Sequence, residues 1–84
     1  MDKSKIQEEL KEIITVYVPD KKILDNITLE HDLINDLKIN SAHIVDIVLD
    51  VEEKYDIMIE DEAIMKMATI GQAIQVINDK LEEK

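Results

Sequence analysis

The sequence predicts an all-α fold: a four-helix bundle with a short third helix and a long loop between helices 1 and 2. Three observations carry this. The 84 residues include one Gly and one Pro, too few for the tight turns of a sheet-rich domain. The aromatics are two Tyr, with no Phe and no Trp, so the core is aliphatic, built from Ile, Leu, Val and Met. The apolar residues recur at helical spacing along most of the chain. The length suits one small domain, spanning residues 1–84.

The first helix is expected over residues 4–17, opened by an S-x-x-Q capping box at Ser4 and Gln7. Ile6, Leu10, Ile13, Ile14 and Tyr17 form its core stripe, and Glu8, Glu9, Lys11 and Glu12 face water. Val18-Pro19-Asp20 ends it, because proline cannot continue the hydrogen-bond ladder and pushes its predecessor out of helix. The connection from there to Asn40 is long for a compact domain. Ile23, Leu24, Ile27, Leu29, Leu33, Ile34 and Leu37 are its expected anchors, with single helical turns near 20–24 and 32–36 and turns at Asp25-Asn26 and His31-Asp32.

The second helix is expected from Ser41 to Tyr55. Ile44, Val48, Val51 and Tyr55 share one narrow arc, the buried face. Asp46, Asp50 and Glu53 fall on the far side, with Val45 and Leu49 on the shoulder. Ile57 and Ile59 plug the stretch that follows. A short third helix over about 61–66 starts on Glu60-Asp61-Glu62, acids that favour a helix N-terminus. Ile64, Met65 and Met67 supply its apolar face. Thr69-x-x-Gln72 is a second capping box and opens the last helix. Its stripe is Ile70, Ala73, Ile74, Ile77 and Leu81, and its final residues to Lys84 fray into solvent.

Charge and composition exclude several functions. The net charge is −10, from ten Lys, no Arg and twenty acids. Nucleic acid and anionic membrane, which require basic patches, are therefore not expected partners; a basic protein surface is. The acids are concentrated: Asp46 to Glu62 holds eight against one Lys. With no Cys there is no disulfide, thiolate metal site or cysteine nucleophile. No apolar run approaches the ~20 residues of a membrane span, and MDKSKIQEELKEI lacks a signal peptide's apolar core. A cytoplasmic monomer is expected.

Ser41 heads the acidic helix, with Asn40 before it. Taken alone, either residue there is ordinarily an N-cap. A Ser41–His43–Asp46 hydrolase is excluded by spacing, since helical residues two apart point about 160° apart, and no glycine-rich elbow accompanies the serine. A metal at His43, Asp46 and Asp50 lacks the nitrogen or sulfur ligands a transition metal wants; loose Ca²⁺ or Mg²⁺ binding along the acids remains open. No catalytic residue and no dedicated metal site are expected.

The serine after Asp36-Leu37, the carboxylate stripe below it and the closing Tyr55-Asp56-Ile57 resemble the acyl carrier proteins, most densely over residues 33–77. The resemblance implies that Ser41 bears 4'-phosphopantetheine derived from coenzyme A, whose thiol holds acyl groups as thioesters. It implies a carrier with no enzymatic activity of its own, serving fatty-acid or related, polyketide-like synthesis. The implied partners are a phosphopantetheinyl transferase (holo-carrier synthase) and acyl-handling enzymes such as ketosynthases, acyltransferases and reductases. Asp36, Asp46, Asp50, Glu53 and Asp56 are the candidate partner-facing acids, and Val45 and Leu49 the apolar part of that contact. In the family the third-helix region lines an acyl slot, so its methionines are either slot lining or core filler. Asn40 and Ala42 replace the family's usual Asp and Leu around the serine, and His43 stands where an acid is common; these departures point to a specialised carrier. The alternative of another class is an unmodified acidic helical adaptor for one basic partner.

Overall fold

The computed structural model describes residues 2–83; the expected fraying at Lys84 lies outside them. Among the described residues four α-helices follow one another: α1 (Lys3–Thr15), α2 (Ala42–Tyr55), α3 (Asp61–Ile64) and α4 (Ile70–Glu83), with a 3₁₀ turn at Lys21–Asn26. There is no strand among the described residues, only an isolated bridge between Asp32 and Thr69. The all-α architecture with a short third helix and a long first loop is the one the sequence predicts.

The start of α1 differs from expectation. Asp2 is the N-cap and accepts the Ser4 backbone N–H at 2.9 Å. Ser4 lies inside the first turn, so the box expected at Ser4 and Gln7 does not open the helix. At the other end the backbone tightens, with the N–H groups of Tyr17 and Val18 both donating to the Ile14 carbonyl. The Lys21 ammonium donates to the carbonyls of Thr15 and Val18, groups left without intrahelical partners. Helix α1 therefore stops at Thr15, two residues short of Tyr17.

Two cross-helix pairs show that α2 runs antiparallel to α1. Tyr17, just past the end of α1, reaches His43 in the first turn of α2 and Asp50 near its middle. Glu9, in mid α1, meets Tyr55 and Lys54 at the end of α2. The loop between them is pinned by Leu24, Leu33, Leu37 and Ile39, all buried, with Ile23 and Ile27 half-buried. Leu29 and Ile34, expected as anchors, are exposed. The backbone does the anchoring near Leu29. Its carbonyl accepts the Gly71 N–H at 2.8 Å, the His31 carbonyl accepts Ile70 N–H at 3.0 Å, and Leu33 N–H donates to Ala68 at 2.9 Å.

One apolar cluster joins the elements. It includes Ile6, Leu10 and Ile14 of α1, Ile47, Val48, Val51 and Tyr55 of α2, Ile59 and Met67 of the connections, and Ile70, Ala73, Ile74 and Ile77 of α4. Tyr55 donates its hydroxyl to Glu9 at 2.9 Å, so burying the ring leaves no polar orphan at its tip. The box at Thr69 and Gln72 forms as expected: Gln72 N–H donates to the Thr69 hydroxyl, and the Gln72 side chain accepts Thr69 N–H, both at 3.1 Å. The third helix is shorter than expected and ends at Ile64, with Met67 buried but Met65 turned outward, 83% exposed. A four-residue helix has no second turn to fix which face looks inward.

Candidate functional site

Ser41 lies at the junction of the long loop and α2, and it is exposed with its two successors Ala42 and His43. Its backbone is already helical (φ −57°, ψ −29°) and its carbonyl accepts Ile44 N–H at 3.2 Å. Its side chain makes no capping hydrogen bond. Asn40 performs that role: its side-chain oxygen accepts Ala42 N–H at 2.9 Å and its carbonyl accepts His43 N–H at 2.8 Å. The N–H groups of Ala42, His43 and Ile44 are thus all taken. What α2 offers an anion at Ser41 is the positive end of its dipole, without the unpaired donors that a helix start ordinarily leaves.

The approach to Ser41 is rigidly built. Asp32 accepts the N–H groups of Ile34 and Asn35, both at 2.8 Å, and these hold its carboxyl below the usual carboxylate range. In return Asp36 accepts Asp32 N–H at 2.7 Å. Asp36 is therefore exposed but also part of the loop's own hydrogen bonding. Lys38 adopts a left-handed backbone, φ 60°, in the step that turns the chain toward Ser41.

The other candidate residues spread along α2. Val45 and Leu49 are 54% and 55% exposed, on a helix whose opposite face is core. Two apolar side chains so exposed, one turn apart and flanked by exposed Asp46 and Glu53, form an amphipathic outer surface. Asp50 is different. Its carboxylate accepts the Tyr17 hydroxyl at 3.1 Å from the neighbouring helix end. Desolvation and the charges of Asp50 and Asp46 push the Tyr17 phenol above its ordinary value. The Tyr17 ring also packs on His43, centroids 5.2 Å apart and tilted by 49°. Asp56 is remote: fifteen residues beyond Ser41 at 1.5 Å each, it is about 22 Å down the helix. There it forms the C-cap in a left-handed conformation, φ 54°. Asp46, Val45 and Leu49 thus share the outer face of α2, while Asp36 lies in the loop before it and Asp56 marks its far end.

Beside the head of α2 lies a groove of about 420 Å³, lined by Ile34, Ile44, Ile64, Met65, Met67 and Ala68, with Asp32 and Asn35 at its polar edge. Met67 serves both core and groove; Met65 belongs to the mouth alone. No group of three or more His, Cys, Asp or Glu is gathered to hold a metal among the described residues. No helix is long and apolar enough to cross a membrane among them.

Tyr17 and His43 were not among the recognition candidates read from the sequence, where Tyr17 passes for the last core position of its stripe. The available signal was its polar tip: a tyrosine at a helix end, with its ring half-buried, needs an acceptor within reach.

Comparison with known proteins bears on this geometry. A family model described as "Phosphopantetheine attachment site" matches residues 4–77. The acyl carrier protein of Coprothermobacter proteolyticus is 35% identical over 86 aligned positions, covering all of both chains. That of Petrotoga mobilis is 32% identical over 83 positions, covering 96% of this chain and 93% of the relative. That of an Exiguobacterium species is 40% identical over 60 positions, 71% and 76% of the two chains.

Proposed function

Since the chain belongs to the acyl carrier proteins, non-enzymatic carriers whose prosthetic group is 4'-phosphopantetheine, we propose that residues 1–84 form one carrier domain and that Ser41 is the attachment point. The observation that carries this is the Ser41 hydroxyl itself: exposed, at a helix head, and spared from capping because Asn40 caps instead. The residues present fit such a group. An exposed serine oxygen admits a transferase, and the positive end of α2 favours a phosphodiester over a neutral substituent. When bound, the group supplies the thiol that this cysteine-free chain lacks and that holds acyl cargo as a thioester.

The chain's own residues then have three tasks. Asn40 and the Asp32–Asp36 turn hold Ser41 outward at the loop-helix junction. Val45, Leu49, Asp46, Asp50 and Glu53 meet the basic, partly apolar surfaces of a phosphopantetheinyl transferase and of acyl-handling enzymes such as ketosynthases, acyltransferases and reductases. Asp36 extends this surface across the loop, and Asp56 is reached only by partners long enough to span the helix. The groove between Ile34, Ile44, Ile64 and Met65 shelters the apolar cargo chain. Exposed ion pairs are individually weak, which suits a carrier that must leave each partner quickly. Asn40 and Ala42 beside Ser41 favour a carrier dedicated to a particular acyl class within fatty-acid or polyketide-like synthesis.

Intact-mass measurement with coenzyme A and a phosphopantetheinyl transferase tests the assignment. The expected result is a gain of one phosphopantetheine by the chain and none by Ser41→Ala. An unmodified adaptor would gain nothing, and a gain persisting in Ser41→Ala would move the site elsewhere, Ser4 being the first place to look.

A further inference from the structure

We propose that Tyr17, which lies outside the second helix, is a positioning residue for partner recognition: its hydroxyl fixes the Asp50 carboxylate, and its ring the His43 imidazole, so that both are held in one orientation along the helix that Ser41 heads. The inference rests on the reading of Ser41 as the attachment point.

The geometry is specific. The Tyr17 hydroxyl donates to Asp50 Oδ2 at 3.1 Å, and the Asp50 carboxylate has no other hydrogen bond among the described residues. One carboxylate oxygen is thereby held from the segment just past α1 while Oδ1 is left for an incoming donor. An exposed Asp on a helix samples several rotamers, and a charged partner must freeze one of them. Tyr17 removes that freedom in advance. The same ring lies 5.2 Å from His43, which is exposed in the first turn of α2. Tyr17 can serve as a fixed post because its own backbone is bonded to the end of α1 and the next residue, Val18, is 1% exposed. The neighbouring Asp46 also acts on the Tyr17 phenol through its charge, so the pair belongs to the acidic stripe. The recognition surface thus joins α2 to the segment just past α1, and the partner chemistry it fits is an arginine or lysine side chain meeting a pre-set carboxylate.

The test is a double-variant cycle on the full chain, with a phosphopantetheinyl transferase and coenzyme A. Tyr17→Phe keeps the ring and removes only the hydroxyl. It is expected to raise KM about three- to tenfold with kcat unchanged, the signature of a lost docking contact. Asp50→Asn should raise KM at least as much, and the double variant no further than Asp50→Asn alone, because the hydroxyl acts through the carboxylate. Independently, Asp50→Asn should bring the Tyr17 phenol titration, followed by NMR, down toward its ordinary value. An unchanged KM in Tyr17→Phe, additive losses in the double variant, a fall in kcat alone, or a phenol titration unmoved by Asp50→Asn would each overturn the inference. If the wild-type chain itself accepts no phosphopantetheine, the reading of Ser41 fails and the inference falls with it; normal wild-type loading with an indifferent Tyr17→Phe condemns the inference alone.

Discussion

Asn40 accepts the Ala42 backbone N–H through its side-chain oxygen at 2.9 Å and so caps the helix that Ser41 heads. Two adjacent residues of capping type divide the work: one closes the helix and the other leaves its hydroxyl out of the cap. Ser41→Ala should therefore be nearly neutral in thermal stability, within about 0.5 kcal/mol, because no capping bond is lost. Asn40→Ala should cost about 0.5–2 kcal/mol, several degrees in Tm for a domain of this size. Calorimetry on the two variants checks this. A larger loss for Ser41→Ala than for Asn40→Ala would reverse the roles.

How far the sequence reveals such a site depends on the kind of interaction. The helix-head position of Ser41, the exposed acids along α2 and the Thr69–Gln72 box were readable, because each is local and periodic. The division of labour between Asn40 and Ser41 was not, since a one-residue shift in the helix start decides which side chain meets the free N–H. Ile47 escaped the narrow stripe of Ile44, Val48, Val51 and Tyr55, yet it is 2% exposed. The buried arc is wider than that stripe, and Ile47 lies at its edge. Leu29 and Ile34 looked like anchors by composition; only the pairing of this loop with the start of α4 shows that backbone hydrogen bonds hold it. The Tyr17–Asp50 and Tyr17–His43 pairs depend on how two helices dock, information that no single stretch contains.

Lys38 precedes Ser41 by three residues in a left-handed conformation, φ 60°, which L-residues with a Cβ adopt at a cost of about 1 kcal/mol. Lys38→Gly relieves that strain but makes the unfolded chain freer, so a net change from zero to about +0.5 kcal/mol of stability is expected. Lys38→Val, β-branched, should lose more than about 1 kcal/mol. Chemical denaturation of both variants should show opposite directions or, at least, a clear gap in this order.

Gly71 lets the start of α4 approach the long loop. A Cβ there would lie 3.1 Å from the Leu29 carbonyl oxygen, the same atom that accepts Gly71 N–H. In Gly71→Ala the loop must retreat by a few tenths of an ångström, stretching that hydrogen bond. The expected loss is about 1 kcal/mol, with faster amide exchange at residues 70 and 71 than elsewhere in α4. Uniform exchange along α4 would show that the loop yields at no cost.

Acidity acts on stability in two opposing ways. Eight acids against one Lys between Asp46 and Glu62 repel at low ionic strength, so salt or millimolar Mg²⁺ should raise Tm. Three carboxyls act oppositely toward acid. Glu9 is held below its ordinary value by the Tyr55 hydroxyl and then by Lys54, Asp32 by backbone N–H groups, and Glu60 by Lys80. A depressed folded-state value means stability that is present above the ordinary carboxylate range and lost as pH falls through the folded values. The melting temperature should thus fall below pH about 4, and Asp32→Asn should flatten the fall by removing one of the three. A profile identical to wild type in Asp32→Asn would show that its turn contributes nothing to acid sensitivity.

The acidic stripe can be tested as a recognition element apart from the net charge. Asp46 and Glu53 are exposed on the outer surface of α2, on either side of Leu49. Asp50 is best left intact in this comparison, because reversing it also breaks the bond to Tyr17. Glu8 and Glu12 are exposed on α1, four residues apart. Asp46→Lys with Glu53→Lys, and Glu8→Lys with Glu12→Lys, change the net charge equally. Each exposed ion pair is worth only ~0.2–1 kcal/mol, but steering by their summed field acts on every encounter. The α2 double variant should therefore be loaded at Ser41 more than about tenfold more slowly, mainly through association and most strongly at low salt. The α1 variant should change far less, and circular dichroism should show helix intact in both. Equal slowing would assign the effect to overall acidity, because only a partner lying along α2 can tell the two pairs apart.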